Sequence, residues 1–411
     1  MKFSDYHISK EVKQNLKDMG FTRPTDIQFK AIPPILAGED VMAIAQTGTG
    51  KTAAFAIPII NKLQNLPATE DIKCLVMVPT RELALQILEV FEKIGKNTSV
   101  KAACLVGGVD QDQQIAQINN GASVLIATPG RMFDLIYQKE IKITKVEILI
   151  LDEADHMLDL GFNKDIQDVL KFIPKKHQTL FFSATISKKI KDLAYALVRN
   201  AIRIQISPKN PVAKSVTHSV AFIEMDDKRF FLERTIKENP ESRIIVFVRT
   251  QIRAERVSKA LDRVGIASGV MHGGRDQKDR IEVLSKFRTS EIKILITTDV
   301  SARGIDIPNV DMVVNYDLPE QAENYVHRVG RTGRGTSLGY AVSYCSSEEK
   351  ELLNEIEEYI GREVTVLAIN NKDYEQTIDF SEAGSDDWKS LIKEAEQDVN
   401  HQKKKPGKGK K

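Results

Sequence analysis

Short apolar runs and helix-spaced segments alternate through the first half of the chain. The runs at 41–45, 74–78, 102–106, 124–128, 147–151, 179–183 and 202–206 predict strands. Between them lie segments such as 81–93, where Leu83, Ile87, Val90 and Ile94 recur on one face of a helix. Strands alternating with helices predict βαβ units and a parallel sheet. The pattern breaks at Ser207-Pro208-Lys209-Asn210-Pro211, a polar, proline-bearing stretch suited to a linker over 207–215. A second series of predicted strands follows at 216–223, 244–248, 267–271, 293–298, 312–316 and 340–344.

The simplest reading is an α/β protein with two tandem domains, 1–206 and 216–368. Beyond Ile369 the apolar periodicity thins. The stretch to Asn400 is acid-rich and holds the single tryptophan, Trp388. The end from Lys403 to Lys411 is mostly lysine with nothing to bury, so 369–411 is expected to be a disordered tail.

Composition narrows the function classes. With 59 basic against 57 acidic side chains there is no global basic field, so any nucleic-acid site must be a local surface. Cys74, Cys104 and Cys345 are widely spaced and fit buried reduced thiols better than disulfides or zinc ligands. No apolar stretch follows the N-terminal charges, and no run is long enough to span a bilayer. A soluble, cytoplasmic chain without a membrane partner is expected.

Candidate chemistry begins at Asp152-Glu153-Ala154-Asp155, directly behind the apolar run Ile148-Leu149-Ile150-Leu151. Open α/β sheets put ligands at the carboxyl ends of their strands. Acids placed there can hold magnesium and prepare a water for attack on phosphate, although acidic surface turns after strands are also common. Ala45-Gln46-Thr47-Gly48-Thr49-Gly50-Lys51-Thr52 likewise follows a strand and opens a helix. Its glycines let the backbone wrap a phosphate, and the helix N-terminus adds positive charge. Lys51 can reach the outer phosphates, and the Thr52 hydroxyl can ligate Mg2+ beside Asp152. Ala45 stands where the strict phosphate-loop pattern has glycine, a mild departure. Together the loop and the strand-end acids make two halves of a nucleoside-triphosphatase site, with Asp152 on the metal and Glu153 on the attacking water.

With these elements in order, the chain resembles the DEAD-box ATP-dependent RNA helicases, from Gly20 to Arg334. Gly20-Phe21, Pro24-Thr25 and Ile27-Gln28, with Phe3 upstream, resemble the family's adenine-recognition segment. A glutamine amide can pair with both a donor and an acceptor on the adenine edge. Phe21 is either a core aromatic or a ring stacked on the base. Pro79-Thr80-Arg81-Glu82-Leu83-Ala84, Gly107-Gly108 and Thr128-Pro129-Gly130-Arg131 resemble the RNA-backbone surface of the first domain. There Arg81 and Arg131 supply charge, Thr128 a hydroxyl, and Gly107 and Gly108 close approach to phosphate. Ser183-Ala184-Thr185 resembles the element that couples hydrolysis to strand separation, and its hydroxyls can reach the acids.

In the second half, the run from His327 to Arg334 resembles the family's arginine-rich segment. The resemblance implies that Arg331 and Arg334 reach the γ-phosphate across the cleft. Within 297–306, Gly304 and Asp306 are implied to serve ATP and Thr298 to serve RNA. Arg249-Thr250, His272-Gly273, and Gln277 with Arg280 resemble the remaining RNA-facing elements, although Gly274-Arg275-Asp276 between them is atypical. Asp155 is assigned to coupling, through Ser183, Thr185 or His327.

The resemblance implies two RecA-like domains that close on ATP and RNA. It also implies sequence-independent backbone binding, since no aromatic RNA-recognition signature or zinc-finger spacing occurs. An ATP-gated RNA clamp would carry the same motifs, and a DNA translocase is disfavoured by the RNA-type set. A monomer is expected, with ribosomal or RNA-decay complexes as compatible partners. The short basic tail resembles the bacterial RhlE-type subgroup, and reads either as an RNA tether or as a solubilising end.

Overall fold

The computed structural model describes residues 2–46, 48–66, 71–206, 212, 215–302, 307, 310–333 and 338–382. Among these are two seven-stranded sheets in tandem, every pairing parallel. The first contains β1 (Val41–Ala45), β2 (Cys74–Met77), β3 (Ala102–Leu105), β4 (Val124–Ala127), β5 (Ile148–Leu151), β6 (Gln178–Ser183) and β7 (Ile202–Ile206). Their spatial order is β3-β4-β2-β5-β6-β1-β7. The second contains β8 (Val216–Phe222), β9 (Ile244–Phe247), β10 (Ser268–Met271), β11 (Ile294–Thr297), β12 (Met312–Asn315), β13 (Gly339–Cys345) and β14 (Thr365–Val366), ordered β10-β11-β9-β12-β13-β8-β14.

The central strands read as unbroken apolar runs because helices cover both faces of the sheet. β1, β2, β4, β5 and β6 are buried throughout. Neighbouring side chains divide between two cores, as strand geometry requires. Phe182 joins Phe55 on one face at 5.2 Å between ring centroids, while Phe181 packs with Leu149 and Leu151 on the other. The second sheet repeats this, with Ile245 and Phe247 on one face and Ile244 and Val246 on the other. Edge strand β7 has only Ile204 buried, so its apolar pattern is weakest where only one side is covered.

One consequence of the strand order bears on the site. β6 lies between β1 and β5, with Ile44 opposite Ser183 and Leu151 opposite Phe181. The carboxyl end of β6 is therefore flanked by the loop after β1 and the acids after β5.

Two expectations need correction. The stretch from 369 is not uniformly unstructured, because Asn371–Glu382 forms a helix against the helix Lys228–Glu238. Its stability comes from a few specific contacts rather than a broad apolar stripe. The Tyr374 ring lies 4.9 Å from Phe231, its hydroxyl donates to Asp227 at 2.7 Å, and Arg234 donates to the Thr377 hydroxyl at 2.8 Å. Hydropathy periodicity cannot register contacts of that kind. Within the expected linker, Val212 is 2% exposed and belongs to the second domain's core. The rest of 207–214, and 383–411 with Trp388 and the lysines, lie outside the described residues. All three cysteines are free and buried, and burial pushes the Cys104 thiol up to about 12. No helix among the described residues is long and apolar enough to cross a membrane.

Candidate functional site

The loop after β1 takes the shape its glycines permit. Gly48 and Gly50 sit at φ +80 and +91, where L side chains are strained. The Thr49 hydroxyl closes the turn on the Gln46 carbonyl at 2.7 Å. Lys51 and Thr52 then begin the helix Lys51–Gln64. Lys51 is 6% exposed, and its Nζ has no hydrogen-bond partner among the described residues. A buried ammonium without an acceptor is costly, so the cradle fits a polyphosphate that would supply one. Thr47 lies outside the described residues.

Gln28 is buried and ties the helix before β1 to this loop. Its Oε1 accepts from the Thr25 N–H at 3.0 Å, and its Nε2 donates to the Gly50 carbonyl at 3.2 Å. The amide thus caps the helix Asp26–Ala37 and braces the phosphate loop, leaving one N–H and one lone pair for a base edge. Phe21 is half-buried, packs against the core and meets Phe3 edge-on at 6.0 Å.

Asp152 and Glu153 emerge from β5, 2% and 6% exposed. Glu153 adopts φ +52, a left-handed conformation costly for a side chain with a Cβ, and its N–H donates to Asp152 Oδ1 at 3.0 Å. Burial pushes the Asp152 carboxyl up to about 6, against the opposing pull of Lys51 and with a further push from Glu153. Burial also pushes Glu153 up, but His156, Lys51 and Arg331 overcome it and hold that carboxyl at about 2. A raised, oxygen-rich Asp152 near Lys51 is the kind of ligand a hard divalent cation would stabilise in its charged form. Among the described residues no three His, Cys, Asp or Glu side chains form a metal cage.

Asp155 points to the end of β6. Its Oδ2 accepts from the Ala184 and Thr185 N–H groups at 3.0 and 2.9 Å, so the link runs through main-chain amides rather than the expected hydroxyls. The Ser183 hydroxyl instead donates to the Thr185 carbonyl at 2.9 Å. Residues 183–185 form a compact turn whose position depends on the acid behind it.

The second domain reaches this edge. A cavity of about 290 Å³ is lined by Glu153, Asp155, His156 and Thr185 from one side and by Glu323, His327 and Arg331 from the other. Arg331 is 2% exposed, its Nε donates to the His327 carbonyl at 3.2 Å, and its charge lowers Glu153. The arginines of the segment divide their roles. Arg328 is fully buried and holds Asp299 through two bonds of 2.6 and 2.8 Å, with a third to the Asp317 carbonyl. Gly304, Asp306 and Arg334 lie outside the described residues.

Arg131 and Arg280 lie near Arg81, all three among the residues expected to face RNA. Arg81 opens the helix Arg81–Ile94, capped by the Thr80 hydroxyl, and a Cβ on Gly107 would lie 2.9 Å from its Nη2. A side chain at Gly107 would push the Arg81 guanidinium aside, and Gly108 has a φ of +72 that favours glycine. Arg131 reaches the Val109 carbonyl and the Gln111 amide, while the Thr128 hydroxyl faces the Leu105 carbonyl. Burial holds Arg81 below its usual value; nearby Arg280 and Arg131 add to this, and Glu82 opposes it. Arg280 comes from the second domain and pairs with Glu82 at 3.0 Å, bridging the domains. Arg249 is fixed by Glu349 at 3.0 Å and, through its N–H, by Asp317 at 2.8 Å. Gly273 is exposed and Thr298 is 7% exposed. Gln277 begins the helix Gln277–Arg288, and its side chain lies outside the described residues.

The sequence reading missed the Glu82–Arg280 bridge, the Asp299–Arg328 pair, the Glu349 brace and His156. Each depends on residues brought together from separate elements or on an environment, for which the chain offers no local signal.

Comparison with known proteins agrees with this geometry. A family model described as DEAD/DEAH box helicase matches residues 25–193, and one described as helicase conserved C-terminal domain matches 227–336. The chain is 39% identical over 367 residues to the DEAD-box ATP-dependent RNA helicase RhpA of Helicobacter pylori, covering 89% of this chain and 74% of that protein. It is 37% identical over 363 residues to the ATP-dependent RNA helicase DbpA of Bacillus subtilis, covering 88% and 75%. Its fold is similar to that of S. cerevisiae Dbp5 bound to RNA and ADP BeF3, with a TM-score of 0.82, 30% identity and coverage of 93% and 98%.

Proposed function

Since the chain belongs to the DEAD-box ATP-dependent RNA helicases, we propose that it couples ATP turnover to local, sequence-independent opening of RNA duplexes and ribonucleoprotein. The observation that carries this reading is the placement of Arg331, from the second domain, beside Glu153 of the first. Two half-sites then make one catalytic site only when the domains are together.

In this reading Lys51 and the amides of the loop hold the outer phosphates, and Gln28, with Phe21 nearby, serves the adenine end. Thr52 and Asp152 would hold a magnesium ion, which when bound neutralises phosphate charge. Glu153 orients the attacking water, and Arg331 with Arg334 stabilises charge that develops on the γ-phosphate. Asp155, through the turn at 183–185, senses the state of the acids and passes it to the RNA face. Arg81, Gly107, Gly108, Thr128 and Arg131 grip one half of an RNA backbone, and Arg249, Gly273, Gln277 and Thr298 the other. Closing the two halves would bend one strand and release its partner.

Arg331→Ala should lower RNA-stimulated ATP turnover by about 10³, as removal of such an arginine does in related phosphoryl transfers. Turnover near that of the unmodified chain would sink the two-domain account. RNA and DNA of equal sequence, compared as activators, test the choice of nucleic acid. Displacement of a short RNA duplex distinguishes unwinding from an ATP-gated clamp.

A monomeric, cytoplasmic enzyme of RhlE type, working on ribosomal or RNA-decay complexes, fits this reading. The lysine-rich end is proposed as an electrostatic RNA tether. Removing residues 401–411 should weaken RNA binding and flatten its salt dependence, and unchanged affinity at low salt argues against tethering.

A further inference from the structure

His156 is a buried polar group that the proposed reaction leaves without a task. It lies in the short helix Ala154–Asp159, three residues after Glu153, which stands at the helix's N-terminal cap. The ring is 3% exposed, and neither of its nitrogens has a hydrogen-bond partner among the described residues. A buried imidazole with both nitrogens unsatisfied is disfavoured against an apolar residue of similar size, which points to a partner supplied in the working state. Glu153 Oε2 lies 3.6 Å from Nδ1. That distance is beyond a hydrogen bond, but within the range that a small side-chain shift or one bridging water closes when a site is loaded. Both residues line the 290 Å³ cavity between the domains, which has room for such a water.

The neighbours of Glu153 change once nucleotide is present. Besides His156, the cationic groups of the site are Lys51, buried at the phosphate loop, and Arg331, which lines the same cavity. In the reading above both cations turn to phosphate oxygens, which leaves His156 as the group still dedicated to the carboxylate. The Glu153 main chain is already fixed by its bond to Asp152, so what remains free is the side chain's rotation.

We propose that His156 is a positioning residue for Glu153: its Nδ1–H, directly or through one water, holds the carboxylate in the orientation that aligns the attacking water. This rests on the assignment of Glu153 to that water.

The test measures RNA-stimulated ATP turnover of the full chain. His156→Phe fills the space without a donor, His156→Asn puts an amide N–H near the Nδ1 position, and His156→Gln puts one near Nε2. The expected result is a fall in kcat of about tenfold for the Phe variant, with half-saturation by ATP and RNA changed less than about twofold. The Asn variant should return to within about threefold of the unmodified chain and exceed the Gln variant. Full kcat in the Phe variant, or Gln equal to or better than Asn, overturns the proposal. If thermal unfolding shows that the Phe variant does not fold, the Asn and Gln comparison decides alone. Glu153→Gln separates the two claims: if it retains turnover, the assignment of Glu153 fails. If it loses turnover while the Phe variant remains active, only the role of His156 fails.

Discussion

The Glu82–Arg280 bridge gives a prediction whose size follows from its geometry. The charged groups are 3.0 Å apart, with side chains 4% and 12% exposed, and they come from different domains. At an effective permittivity of about 20 the attraction at that distance is roughly 5 kcal/mol. Removing two charges from water returns several kcal/mol, leaving a net coupling of about 1–2 kcal/mol. Because the partners belong to separate domains, this coupling favours the closed form rather than either domain's stability. It should appear as about a tenfold rise in the RNA concentration that half-saturates ATP turnover. Glu82→Gln, Arg280→Gln and the double variant form the cycle to measure. Each single change should raise half-saturation by that factor, and the double should be no worse than either alone. Strictly additive effects would refute the reasoning. They would instead match a direct contact of Arg280 with RNA, the role its sequence context implies.

Three further outcomes follow from other parts of the structure. Gly50→Ala places a Cβ 2.4 Å from Gln28 Nε2 at a φ of +91, so the brace must break and the backbone is strained by about 1–2 kcal/mol. Half-saturation by ATP should rise about tenfold, and an unchanged value counts against the brace. In the second domain, His218 Nε2 accepts from Arg362 at 2.6 Å, so Nδ1 carries the proton and faces the Tyr325 hydroxyl at 2.8 Å. Burial, reinforced by Arg362, pushes this imidazole down to about 4 from 6.5. Above pH 6.5 it is neutral folded and unfolded. As pH falls through that value only the unfolded chain gains the proton, so about 2 kcal/mol of stability is lost by pH 5. Thermal unfolding of His218→Gln should lose part of that pH dependence, and an identical dependence contradicts the assignment. Tyr374→Ala removes the ring from Phe231 and the bond to Asp227, worth about 2 kcal/mol together. Hydrogen exchange over 371–378 should quicken with ATP turnover intact; unchanged protection would show that other contacts hold the helix.

Much of the fold is legible because buried parallel strands leave a strong trace. Four of the five fully buried strands of the first sheet are continuous apolar runs, and β6 keeps an apolar centre between buried Gln178, Thr179 and Ser183, since covering both faces favours apolar side chains. The two-residue strand β14 and the helix Asn371–Glu382 left no such trace. The first is too short for a pattern, and the second depends on Tyr374 and Thr377 meeting particular partners. The site divides in the same way. Gly48, Gly50, Lys51 and the acids after β5 are legible because phosphate and metal chemistry demand those residue types at fixed local spacing. Gln28 was identified as a ligand-facing amide, yet its hydrogen bonds also make it a cap and a brace, which spacing alone does not reveal.

The sequence by itself determined two parallel-sheet domains, a phosphate loop, and a strand-end acidic cluster, because these follow from periodicity and local chemistry. The tertiary structure decided how the parts act on one another. It set β6 between the loop and the acids, turned Asp155 toward amides rather than hydroxyls, tied Arg328 to Asp299 while placing Arg331 on the cavity that Glu153 lines, and paired Glu82 with Arg280. The physical reason is range. Backbone geometry and hydrophobic periodicity are set by neighbours in the chain, whereas charge pairing and proton affinity depend on which distant groups share a water-poor space.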